Sequence, residues 1–105
     1  MLSDLFRRRG VKVVIGVLTL ELFLGECSSL KSKRRILKSL LERMKARFNV
    51  SVAEVDLQDK WQHSTVGVAC VTNDQSHAHQ MLAAVIRYVE AAGTVEILNI
   101  QTELL

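Results

Sequence analysis

Two segments with apolar residues at helical spacing each lie between segments whose apolar residues alternate, and that order leaves few folds open to the chain. Residues 13–24 alternate. Val14, Leu18, Leu20, Leu22 and Leu24 share one side, and Val13, Ile15, Val17, Thr19, Glu21 and Phe23 share the other. Gly25, Ser28 and Ser29 interrupt the strand, and either serine can cap a helix. Leu30, Leu37, Leu40, Leu41, Met44 and Phe48 then recur as one helical stripe. Residues 50–57 read as a second strand, with Ala53, Val55 and Leu57 on one side and Glu54 and Asp56 on the other. The polar residues 58–63 read as a hairpin loop. Residues 64–72 are apolar on both sides, which suits a central strand. Asn73, Asp74 and Ser76 offer caps for a second helix. Its stripe is Ala78, Met81, Leu82, Val85, Ile86, Val89 and Ala92, and Gly93 is its stop. Residues 95–102 are the fourth strand.

The order β-α-β-β-α-β predicts a ferredoxin-like α+β sandwich, one four-stranded antiparallel sheet with both helices on one face. Right-handed crossovers fix its hand, and the expected strand order is 4-1-3-2. A chain of 105 residues suits one such domain, residues 13–105. Residues 1–12 are left as a basic arm, expected to be mobile. Arg7, Arg8, Arg9 and Lys12 before an apolar run, with Cys27 after it, mimic a secretory signal. Glu21 inside the run and Glu26 before the cysteine argue for a strand instead, with a signal peptide as the alternative. The run is also too short to cross a membrane as a helix. Cys27 and Cys70 make no metal-binding spacing, and two free thiols in a reducing cytoplasm are expected, with Cys70 in the core.

The first helix carries eight of the fourteen basic residues. Lys31, Lys33, Arg34, Arg35, Lys38, Arg43, Lys45 and Arg47 stand against one acid, Glu42. Four of them crowd the N-terminal turns, where the helix dipole repels cations by about 0.3–1 kcal/mol each at low salt. An anionic partner would reverse that penalty. At about 100° per residue, Lys31, Arg34, Lys38 and Lys45 line one flank of the apolar stripe, and Arg43 and Arg47 line the other. Lys33 begins near the apolar face and is expected to snorkel outward.

The residues also resemble a known family. Gly16-Val17-Leu18, Ser29-Leu30-Lys31 and Lys33-Arg34-Arg35 are the first cues. The strongest is Phe48-Asn49-Val50-Ser51-Val52-Ala53-Glu54-Val55-Asp56, followed by Gln58-Asp59 and Trp61-Gln62. Together they are similar to the YlxP-like family, a bacterial domain of unknown function, over residues 13–103. The resemblance implies a ferredoxin-like fold and a cytoplasmic protein. Genes of the family often sit beside those for translation initiation and ribosome maturation factors, which implies an RNA or ribosome connection. It assigns no catalytic or ligand-binding residues.

Several residue sets compete as sites. The nucleic-acid-binding set is Lys31, Arg34, Arg35 and Lys38, extended by Lys45; these would grip phosphates without reading sequence. Against it stands a merely solvated helix face. Base stacking on the sheet in the manner of RRM domains is argued against, because the open face carries Thr19, Glu21, Glu54 and Asp56 with Phe23 as its one aromatic. Glu21, Glu54 and Asp56 could hold Mg²⁺ or exchange protons, but ordinary solvent-facing carboxylates are the favoured reading. Trp61 is expected to fold back as a lid on the core rather than stack on a base; His63 stays open between solvent and a partner. His77 and His79 point about 200° apart on a helix and cannot share a metal. No metal, cofactor or catalytic constellation is therefore expected, and Gly16 and Gly67 are read as close-packing positions in strands. Two functions remain: a cytoplasmic RNA- or ribosome-associated protein binding phosphates through its first helix, or a dimeric structural or regulatory protein-interaction domain, a homodimer paired through the sheet face. A membrane partner is not expected.

Overall fold

The computed structural model describes residues 9–105; residues 1–8 of the expected arm lie outside the described residues. The elements follow in the expected order: β1 (Val14–Phe23), α1 (Leu30–Arg47), β2 (Ser51–Asp56), β3 (His63–Thr72), α2 (Gln75–Ala92) and β4 (Glu96–Leu104). The sheet runs β2-β3-β1-β4 with every neighbouring pair antiparallel. This is the ferredoxin-like α+β arrangement, with the two ten-residue strands β1 and β3 at its centre.

Local chemistry sets the helix ends. The Ser29 hydroxyl accepts a hydrogen bond from the Ser32 N–H at 3.1 Å and starts α1. Phe48 turns extended and donates its own N–H to the Met44 carbonyl, which ends it. Asp74 caps α2 by accepting from the Ser76 N–H at 2.9 Å. Gly93, at φ +72°, ends α2 in the left-handed conformation that a Cβ disfavours.

One face of the sheet forms the core. Leu18, Leu20 and Leu22 of β1 and Val66, Val68 and Cys70 of β3 are buried, together with Leu37, Leu40 and Met44 of α1 and Ala78, Leu82, Val85 and Val89 of α2. Cys27 and Cys70 are both buried and free. Gly16 lets α2 come down onto β1: a Cβ there would sit 2.9 Å from the Cys70 sulfur and 3.1 Å from Leu82 Cδ1.

β2 departs from the expected orientation. Val52 pairs with Val68 and Glu54 with Val66, so Val52 and Glu54 face the helices while Ala53, opposite Gly67, faces outward. A bulge between Glu54 and Asp56 then breaks the alternation and leaves Val55 exposed on the open face against Gly67. Ala53 and Val55 share one side, and that side faces solvent. Glu54, expected on the open face with Glu21, faces the helices instead, so the three carboxylates do not share one face.

The two strand glycines give a matched test. Gly16→Ala should lower unfolding free energy in a urea titration by about 1–3 kcal/mol through overpacking. Gly67→Ala, whose Cβ would meet only the exposed Val55 side chain at 3.2 Å, should change it much less.

Candidate functional site

Helical spacing from Arg34 to Lys45 places Arg34, Lys38 and Lys45 on the flank of α1 that borders β2. The structure brings these three cations together around a groove of 420 Å³, floored by Leu37 and Leu41 and completed by Glu42 and Glu54. All three are exposed. Lys38 approaches Glu42 at 4.0 Å, an exposed i,i+4 pair that contributes little. Lys31 and Arg35, the other two expected phosphate contacts, are exposed on the same helix but do not line the groove. By helical angle Lys31 continues the flank toward the N-terminus, and Arg35 turns away from it.

Beneath the groove lies the feature that sequence reasoning missed. Lys33 does not snorkel; it is 1 % exposed. Its Nζ stands 2.9 Å from Glu54 Oε2 and donates to the Leu57 carbonyl at 2.6 Å. The buried Ser64 hydroxyl donates to the same Glu54 oxygen at 2.6 Å. Glu54 is 18 % exposed and lines the groove, so a fixed carboxylate sits among the three cations. Lys33 lies three residues after Leu30 and four before Leu37, within the apolar stripe. A lysine in that register signals a buried ion pair once a carboxylate on the facing strand points inward.

The Lys33 bond also fixes the β2–β3 loop. Leu57 has φ +62°, an uncommon conformation for a branched residue, supported by its N–H bond to Asp56 Oδ1 at 2.8 Å. The Lys60 N–H bonds the Leu57 carbonyl at 3.1 Å and closes a turn. Gln62 is held on both sides: its carbonyl accepts from the Leu24 N–H at 2.7 Å, and its Nε2 donates to the Gly25 carbonyl at 3.2 Å. Between Lys60 and Gln62, Trp61 projects 54 % exposed. The expected lid over the core is thus corrected: Leu24, Leu20 and Leu22 are already covered, and the anchored loop turns the indole outward.

His63 is exposed at the start of β3, its ring 5.4 Å from that of Phe23 on the neighbouring strand, so the one open-face aromatic of β1 is occupied by a neighbour. His77 and His79 are exposed on α2 on either side of the buried Ala78. On the opposite flank of α1, the Arg47 guanidinium stands 5.4 Å over the Tyr88 ring and ties α1 to α2. No described helix is long and apolar enough to cross a membrane.

A family model described as "Protein of unknown function (DUF503)" matches residues 15–102. The Bacillus subtilis (strain 168) protein named "Uncharacterized protein YlxP" is 32% identical over 90 residues, which cover 86% of this chain and 98% of that protein. Among solved structures, the de novo designed protein Foldit4 superposes with a TM-score of 0.50 at 17% identity, covering 88% of this chain and 97% of that one. That likeness speaks for the fold alone.

The buried ion pair is testable by stability. Lys33→Met removes the ammonium and leaves the Glu54 charge with only the Ser64 hydroxyl and the Leu57 carbonyl with only the Lys60 N–H; it should cost roughly 3 kcal/mol in denaturant unfolding. Adding Glu54→Leu in the same chain should recover a substantial part of that loss. Equal stability of native protein and Lys33→Met would contradict the pairing.

Proposed function

The chain belongs to the DUF503 family, and we propose that it binds RNA by phosphate contacts along α1. The observation that carries this reading is the convergence of Arg34, Lys38 and Lys45 on one groove. Lys31 extends the track by one turn toward the N-terminus. Arg34 and Lys45 are eleven residues apart, about 16 Å of helix, so the track is long enough to follow a strand rather than to hold a single ion. Three cations on an exposed flank of one helix, with Glu42 the sole acid on that helix, favour a polyanion electrostatically. Contacts of this kind position an RNA without reading its sequence. A role in translation or ribosome maturation would follow if that RNA is ribosomal.

The test is binding to single-stranded RNA and to ribosomal RNA over a salt series. Three phosphate contacts give a log–log salt slope of about −2, or roughly a 20-fold loss of affinity between 50 and 200 mM salt. Arg34→Glu, Lys38→Glu and Lys45→Glu together, with folding verified by circular dichroism, should abolish the slope and the binding. Equal binding by native protein and triple variant would sink the reading.

A second reading rests on a different surface. Ile15 pairs with Val71 on one side and exchanges backbone hydrogen bonds with Leu105 on the other, so the three share the open face. Val71 is 68 % and Leu105 65 % exposed, with Val13 and Val55 also open. A second copy of the chain packed face to face would cover them. Sedimentation equilibrium should then give a dimer that persists at high salt and dissociates on Val71→Glu; a native monomer at 100 μM would exclude it.

A further inference from the structure

Trp61 is the single tryptophan of the chain, and it is 54 % exposed on a loop whose residues on both sides of it are hydrogen-bonded. We infer that Trp61 is a base-stacking platform at the end of the α1 cation track, which makes the ligand a single-stranded nucleic acid. This inference rests on the phosphate-binding reading above and narrows it.

Position is the first argument. Lys33, in the first turn of α1, bonds the Leu57 carbonyl, and the turn closed by Lys60 delivers Trp61 directly after it. Gln62 in turn is bonded to Leu24 and Gly25, ahead of the α1 cap Ser29. The backbone that carries Trp61 is therefore tied on one side to Lys33, in the first turn of α1, and on the other to Gly25, four residues before the α1 cap, which brings the loop to the end of α1 where Lys31 and Arg34 begin the track.

Preorganisation is the second. An exposed indole on a slack loop would lose much of its stacking free energy on being ordered. Here the bonds at Leu57, Lys60 and Gln62 fix the backbone before any ligand arrives. A base can stack on any aromatic face without sequence preference, whereas a paired duplex has no free base face to offer. A platform beside a phosphate track thus selects unpaired strands. The sheet offers no substitute, since Phe23 is engaged with His63.

The experiment uses the Trp61 emission as its own reporter. Native protein is titrated with a 12-nucleotide oligoadenylate, a 12-base-pair RNA duplex and inorganic polyphosphate, with binding followed independently by calorimetry. The oligoadenylate should quench Trp61 saturably, and polyphosphate should bind without quenching. Trp61→Ala, checked by circular dichroism, should weaken the oligoadenylate by roughly 5- to 150-fold and leave polyphosphate unchanged. Trp61→Phe should recover part of that loss. Equal oligoadenylate affinity for native protein and Trp61→Ala would overturn the inference while leaving the phosphate track standing. Quenching by polyphosphate equal to that by oligoadenylate would also overturn it. Absence of binding by all three probes would remove both readings.

Discussion

One ammonium group holds α1, β2 and the β2–β3 loop in register. Lys33 is buried where a helix meets an edge strand, and it touches three separate pieces of chain: Glu54 of β2, the Leu57 carbonyl of the loop, and through Glu54 the Ser64 hydroxyl of β3. A buried ion pair carries a large desolvation penalty and often adds little net stability over a hydrophobic pair. What this one supplies is direction. Hydrophobic contacts would allow β2, a six-residue strand with Val52 as its one buried residue, several ways of meeting α1. A charge that needs its partner within 3 Å allows far fewer.

That constraint explains the uneven distribution of charge on α1. The first turn contains no acid, contrary to what the helix dipole favours. Lys33 escapes the resulting repulsion because Glu54 and the Leu57 carbonyl neutralise it from outside the helix. Among the described residues Arg34 has no such partner and Lys38 has only the exposed Glu42 at 4.0 Å, while Glu54 is already engaged by Lys33 and Ser64. The groove therefore keeps a positive excess around a carboxylate whose orientation is set from below. Lys45, in the last turn, is the one member of the trio that the dipole favours.

How much of this was legible in the sequence follows from the range of each interaction. The cap segments were legible, as Ser28 or Ser29 and as Asn73, Asp74 and Ser76, because caps act within three residues of themselves; the structure selects Ser29 and Asp74. The central strands were legible because β1 and β3 are long and their buried sides are apolar apart from Ser64. The order 4-1-3-2 followed from topology rules and matches the sheet. β2 failed because its face is chosen by a residue 21 positions earlier, Lys33, and because a bulge after Glu54 defeats strict alternation. Trp61 failed for the same reason: its outward direction depends on bonds from Lys33, Leu24 and Gly25, none of them local. At the site, the cation trio was legible from helical spacing alone, whereas the carboxylate among them was not.

The two candidate surfaces are on opposite sides of the sheet. The cation groove lies on the helix side and the Ile15–Val71–Leu105 patch on the open side. Binding at one does not occlude the other. A dimer closed through the open faces would be isologous, with the same residues on both partners, and would leave its two α1 tracks facing outward in opposite directions. Two outward tracks cannot both follow one short strand, but they can engage two distant segments of one long RNA. The second contact is then intramolecular, and its strength depends on the RNA between the segments rather than on any further protein contact. Association through the sheet and RNA binding through α1 are thus physically compatible, and a short oligonucleotide would report the affinity of one track alone.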